Sequence, residues 1–154
     1  MLDKMYPFYA AALAIVLAQV LKPVIHWLIT REWKNDLFLA AGSMPSSHVS
    51  GVSSLCLAVG ILDGFRSTLF AVTLTFSIII AFDAANVRYY AGQNIQLTKK
   101  LIDDLTELGQ LKPTDPIYQK KMKEVLGHTY FEVLGGIITG LSTSYLYYLF
   151  FVRR

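Results

Sequence analysis

The chain is poor in cysteine and in charge. Its one cysteine, Cys56, stands in an apolar stretch, so an internal disulfide and any cysteine-based metal site are excluded. Charged side chains make up 16% of the 154 residues against 54% apolar ones, a balance unlike that of a water-soluble domain. It reads as an integral membrane protein, and the length fits a single domain, 1–154. No internal repeat or low-complexity tract interrupts it. The net charge of +3 requires no nucleic-acid partner, because basic loops facing anionic lipid account for it. The first apolar run lacks the marks of a cleaved signal peptide: it ends in Lys22-Pro23 and has no small-residue cleavage site.

What is present is a set of long apolar runs. The first starts near Pro7, a good first helical residue, and reaches Leu21, with the helix continuing, kinked at Pro23, through VIHWLI while Lys22 snorkels. A second runs from about Ser46 to Leu62 and a third from about Thr68 to Ala85, joined by the polar turn DGFRS. The fourth covers Tyr130 to Val152. The fold class is therefore all-α: a polytopic membrane helix bundle of about four transmembrane helices. Between the third and fourth runs lies a helical connection, about 86–127. Within it Leu97, Leu101, Leu105 and Leu108 recur at helical spacing opposite Lys100, Asp103 and Glu107, which predicts an amphipathic helix on the membrane surface or over the ends of the spans. IYQKKMKEVLG reads as a second, short helix.

Four spans put both termini on one side. Lys4, Arg66, Arg153 and Arg154 fall on the side of the termini, and the other ten of the 14 basic residues fall in the first and third connections. The positive-inside rule makes those connections cytoplasmic and places both termini outside.

With that topology the unusual polar residues gather at one membrane face. Lys22, His26 and Arg31 follow the first run, Ser46, Ser47 and His48 open the second, Asp83 and Arg88 close the third, and His128 and Glu132 open the fourth. Pro45 with two serines is an ordinary helix start. The same start also leaves backbone N–H groups unpaired at the positive end of a helix dipole, which is an anion site. His128 and Glu132 are four apart, a spacing that lets the carboxylate hold one imidazole nitrogen and leave the other nucleophilic. The plainer alternative is a pair that merely starts the helix. A di-iron site would need several more glutamates, so no metal or other cofactor is expected. Gly136 and Gly140 form a G-x-x-x-G motif, and Ser47, Gly51 and Ser54 put small side chains on the second span, so those two spans should pack closely.

Three stretches carry a family resemblance: GSMPSSH at Gly42 to His48, FDAANVRYYAGQ at Phe82 to Gln93, and LGHTYFEVLGG at Leu126 to Gly136. The chain resembles the divergent branch of the type 2 phosphatidic acid phosphatase superfamily, the membrane proteins described as acid phosphatase/vanadium-dependent haloperoxidase-related. The PSSH and HTYFE pieces resemble the superfamily motif P-S-G-H and the end of S-R-x5-H-x3-D. The resemblance implies that His48 protonates the leaving alcohol, His128 is the nucleophile and Glu132 orients it. In the enzyme reading the phosphate is held by Lys22, Arg31 and Arg88 with the helix start at Ser46 and Ser47, and Asp83 is counted with the substrate-binding residues. The superfamily's K-x6-R-P motif is absent, since Lys22 is followed by Arg31 and then Glu32, and the arginine of the third motif falls at Met122. Two functions follow as expectations. One is a metal-independent phosphatase of phosphorylated lipids or isoprenoids working through a phosphohistidine. The other is a non-catalytic membrane protein that binds or carries such a lipid. Membrane lipids are partners in either case, and a homo-oligomer is left open.

Overall fold

A computed structural model describes residues 2–40, 43–109 and 129–153 of the chain. Helix α1 (Leu2–Thr30) continues unbroken through Pro7 and Pro23. It starts five residues before the expected Pro7. Pro23 removes one backbone hydrogen bond, a loss that membrane helices tolerate where neighbouring groups cover the freed carbonyl. Helix α2 (Ser47–Asp63) and helix α3 (Thr68–Phe82) follow. They are joined by a tight turn in which Gly64 has φ +92°, a conformation that disfavours side chains. A π-helical turn, Asp83–Val87, carries α3 directly into α4 (Arg88–Glu107). Helix α5 (Tyr130–Tyr147) ends in a second π turn, Tyr148–Val152.

Among the described residues, three runs are long and apolar enough to cross a bilayer: Lys4–Thr30, Thr68–Glu107 and Tyr130–Val152. Helix α2 is apolar but only 17 residues long, about 25 Å at 1.5 Å per residue. It is nevertheless the centre of the bundle. It packs most extensively on α5 and α1 and less on α3, and α5 also meets α1. The assembly is an all-α membrane bundle, as its sequence indicates.

Small residues make this packing possible. A methyl group at Gly136 would lie 2.8 Å from Ser46 O and 3.0 Å from Val49 Cβ, and one at Gly51 would lie 2.7 Å from Ile15 Cγ1. The backbones of α2 and α5 therefore approach as closely as the G-x-x-x-G motif predicted, the arrangement that drives association where lipid offers no hydrophobic gain. Helix α3 has no buried residue, and Phe76, Ile78 and Phe82 stand exposed on it. Its Thr73 and Thr75 hydroxyls donate to its own carbonyls, while Ser77 Oγ reaches Val52 O of α2 at 3.0 Å.

The expected amphipathic helix exists as α4, but it continues α3 through the π turn, so that Thr68–Glu107 is one 40-residue helical run. Among the described residues its substantial contacts are with that turn. The short helix expected over IYQKKMKEVLG lies outside the described residues.

Candidate functional site

One face of α1 organises the interior. Tyr6, Ala10, Ala14, Ala18 and Lys22 recur every four residues, and each is at most 1% exposed. Four-residue spacing keeps side chains on one helical face, so an alanine stripe that lets α2 and α5 approach ends in a tyrosine at one pole and a lysine at the other.

At the tyrosine pole, Tyr6 packs with Ala10 and Ala58. Its hydroxyl donates to Ser144 O at 2.9 Å and also meets Ser144 Oγ at 2.9 Å.

At the lysine pole, Lys22 does not snorkel as the sequence led us to expect. It is 1% exposed, and its Nζ donates to Ala40 O at 2.7 Å. The reason is the first connection, whose short 3-10 helix Asn35–Leu39 folds back along α1, where Gln19 Nε2 donates to Phe38 O at 3.0 Å. A backbone carbonyl replaces water around the ammonium, and only one of its three donors has a described acceptor.

Ser46 faces the same pole. It is the N-cap of α2 and completely buried, yet its side chain makes no capping bond and its Oγ has no hydrogen-bond partner. The ordinary reading of this serine as a helix cap is thus not what the structure shows. Its N–H donates to Glu132 O at 3.1 Å, joining the starts of α2 and α5, and Ser47 beside it is also buried.

Glu132 does two things at once. With Thr129 it closes a capping box at the start of α5: Thr129 N donates to Glu132 Oε2 at 2.7 Å, and Glu132 N donates to Thr129 Oγ1 at 3.4 Å. Its backbone carbonyl also accepts from Ser46 N, so the residue that caps α5 ties that helix to the start of α2. Ser46, Ser47 and Glu132 are thereby brought together where α2 and α5 begin, and Lys22 is buried on α1, which packs against both helices.

The other expected residues are less closely joined. Asp83 is half-buried and heads the π turn, whose Ala84 and Ala85 pack on Val49 and Val133 at the same end of the bundle. Tyr130 Oη donates to Asn86 Oδ1 at 3.1 Å and ties that turn to α5. His48 is the exposed second residue of α2. Arg31 is exposed beyond the end of α1, its backbone in the left-handed region at φ 62° and its guanidinium 5.8 Å above the Trp27 ring. It is not gathered onto Lys22 in the described contacts. The Arg88 side chain and all of His128 lie outside the described residues.

Two polar groups were not singled out as ligands by sequence reasoning. Gln19 Oε1 and His26 Nε2 are both buried without a partner. Their spacing to Lys22, three before and four after, was the available signal.

Across residues 4–143 the chain matches the family described as the Divergent PAP2 family. The chain belongs to that family. A relative in Bacillus subtilis (strain 168), described as uncharacterized membrane protein YuiD, is 35% identical over 152 residues, which is 96% of either chain. No solved structure matches. The divergent PAP2 assignment agrees with the resemblance carried by the PSSH and HTYFE segments, and it makes this a membrane protein related to phosphatases. In this divergent PAP2 chain Lys22 is a buried charge among the described residues, and Arg31 rests on Trp27.

Proposed function

We propose that the protein is a metal-independent lipid-phosphate monoesterase working at the cytoplasmic face of the membrane. One observation supports the reading: an apolar bundle buries both the Lys22 ammonium, whose described acceptor is a single carbonyl, and the unpartnered Ser46 hydroxyl at the N-terminus of α2. Burying a cation and an orphan hydroxyl is costly in such surroundings. An oxyanion supplies what both lack, and the N-terminal N–H groups of α2 add further donors.

In this reading Lys22, Ser46 and Ser47 hold the phosphate, with Arg88, Arg31 and Asp83 at its margin. His128 attacks phosphorus and the bond to the lipid oxygen breaks. His48 gives its proton to the departing alkoxide, then takes one from the water that cleaves the phosphohistidine and releases inorganic phosphate. Glu132 orients His128 and offsets the charge of Lys22. The basic connections support a site on the inner side of the membrane with both termini outside.

A second reading, a carrier that binds the phosphorylated lipid without turnover, is favoured by one feature: Arg31 is engaged on Trp27 instead of the site. Positioning and charge stabilisation dominate phosphoryl transfer, so a site short of arginine can keep binding and lose rate.

The deciding experiment is phosphate release from a panel of lipid phosphates by detergent-purified protein, with chelator and with vanadate. The enzyme reading expects release that resists chelator and yields to vanadate, together with an acid-labile, base-stable adduct absent from His128→Ala. No release, no adduct and unchanged lipid binding by His128→Ala leaves the carrier.

A further inference from the structure

The mechanism above leaves one buried polar atom unused. His26 Nε2 is shielded from solvent and has no hydrogen-bond partner. His26 comes four residues after Lys22, next on the stripe that holds Tyr6, Ala10, Ala14 and Ala18. Side chains at this spacing start about 5–6 Å apart. The carbonyl of His26 accepts from Thr30 Oγ1 at 2.9 Å, which orders the last turn of α1 but does nothing for the imidazole.

Among the buried, unpartnered side-chain atoms of the described residues, His26 Nε2 and Ser46 Oγ can donate a hydrogen bond to an anion, whereas Gln19 Oε1 only accepts. Buried donors without acceptors point to a missing ligand, because native structures leave few such groups unsatisfied.

We propose that His26 is a direct ligand of the bound anion. Its Nε2 donates a hydrogen bond to one oxygen of a phosphomonoester whose other oxygens meet Lys22 Nζ and Ser46 Oγ. A tetrahedral oxyanion directs its oxygens several ways at once, so donors on a helix face and on a facing helix end are met together. A planar carboxylate matches this set less well. With the anion in place the proton belongs on Nε2, since hydrogen bonding to negative charge favours the donor form. His26 binds; the proton transfers remain with His48 and His128. The inference rests on the anion reading of the site.

The test uses full-length protein in detergent with orthovanadate and inorganic phosphate as probes, following the midpoint of thermal stabilisation and the ¹⁵N resonances of labelled histidine. His26→Ala should weaken vanadate about tenfold, the effect of losing one charge-assisted hydrogen bond. His26→Gln, which keeps an N–H donor, should recover part of that loss, and acetate should stabilise neither variant nor wild type. Vanadate should shift the His26 Nε2 resonance in the wild-type protein, a readout that needs no variant to fold. If His26→Ala binds vanadate within twofold of wild type while Lys22→Met does not bind it, His26 is no ligand and the anion site stands without it. If the wild-type protein binds no oxyanion, the site reading fails and this inference with it.

Discussion

The two poles of the α1 stripe bury polar groups in opposite ways. At one, the Tyr6 hydroxyl finds both oxygens of Ser144 at 2.9 Å and its ring stacks on Tyr147 at 5.8 Å. At the other, Lys22 has one carbonyl, and Ser46, His26 and Gln19 each leave a buried atom unpaired. Hydrocarbon supplies no hydrogen bonds, so a pole that only has to hold helices together is closed from within. A pole that stays open gives up stability, and the gain has to come from a ligand.

The comparison can be broken first by asking where the poles face. Cysteine introduced at Arg66 should be labelled by an impermeant reagent in intact cells and cysteine at Asp104 should not, an all-or-none contrast. The reverse pattern would move the open pole to the outside.

Next in size is Glu132→Gln. A glutamine still serves the capping box, so α5 should keep its start and the melting temperature should change little. Activity should fall by roughly 10²- to 10⁴-fold, measured as phosphate release. A large drop in melting temperature would show that the carboxylate serves the fold first.

Lys22→Met removes the buried charge. Vanadate affinity should fall by roughly 10²-fold, as for loss of a preorganised charge stabiliser, while the melting temperature without anion should hold or rise because an incompletely paired ion leaves the interior. A less stable Lys22→Met would mean that the Ala40 contact is structural.

Tyr6→Phe tests the closed pole. It should lower stability by about 1–2 kcal/mol, since Ser144 is left without its partner, and leave vanadate binding unchanged. Ser46→Ala should have the smallest effect. No capping bond is lost, so stability should stay level or rise slightly, and vanadate should weaken by roughly three- to tenfold.

Helices α2 and α3 show why hydropathy read the spans better than the core. Helix α3 is a continuous apolar run and buries nothing, whereas α2, studded with Ser47, Ser50, Ser53 and Ser54, is the buried centre. In lipid, apolar side chains are content outside and small ones permit contact, so the rule learned from soluble proteins is inverted. The G-x-x-x-G of α5 was legible for this reason, and so was its packing on α2. The ends of the runs were legible too, within a residue or two for α2 and α5. Not legible were the early start of α1 at Leu2 and the passage of α3 straight into α4, because a π turn has no period of its own in the sequence.

By itself the sequence determined the membrane class, the apolar helices, the seam between α2 and α5, and the family. These follow from composition and spacing, which act locally along the chain. Only the tertiary structure decided that Lys22 is buried against Ala40 instead of snorkelling, that the Ser46 hydroxyl is no cap, and that His26 is left unpartnered. Each of these depends on a connection folding back along α1 or on two helix starts meeting, and a hydrogen bond made or missed between distant residues leaves no mark in the order of the residues themselves.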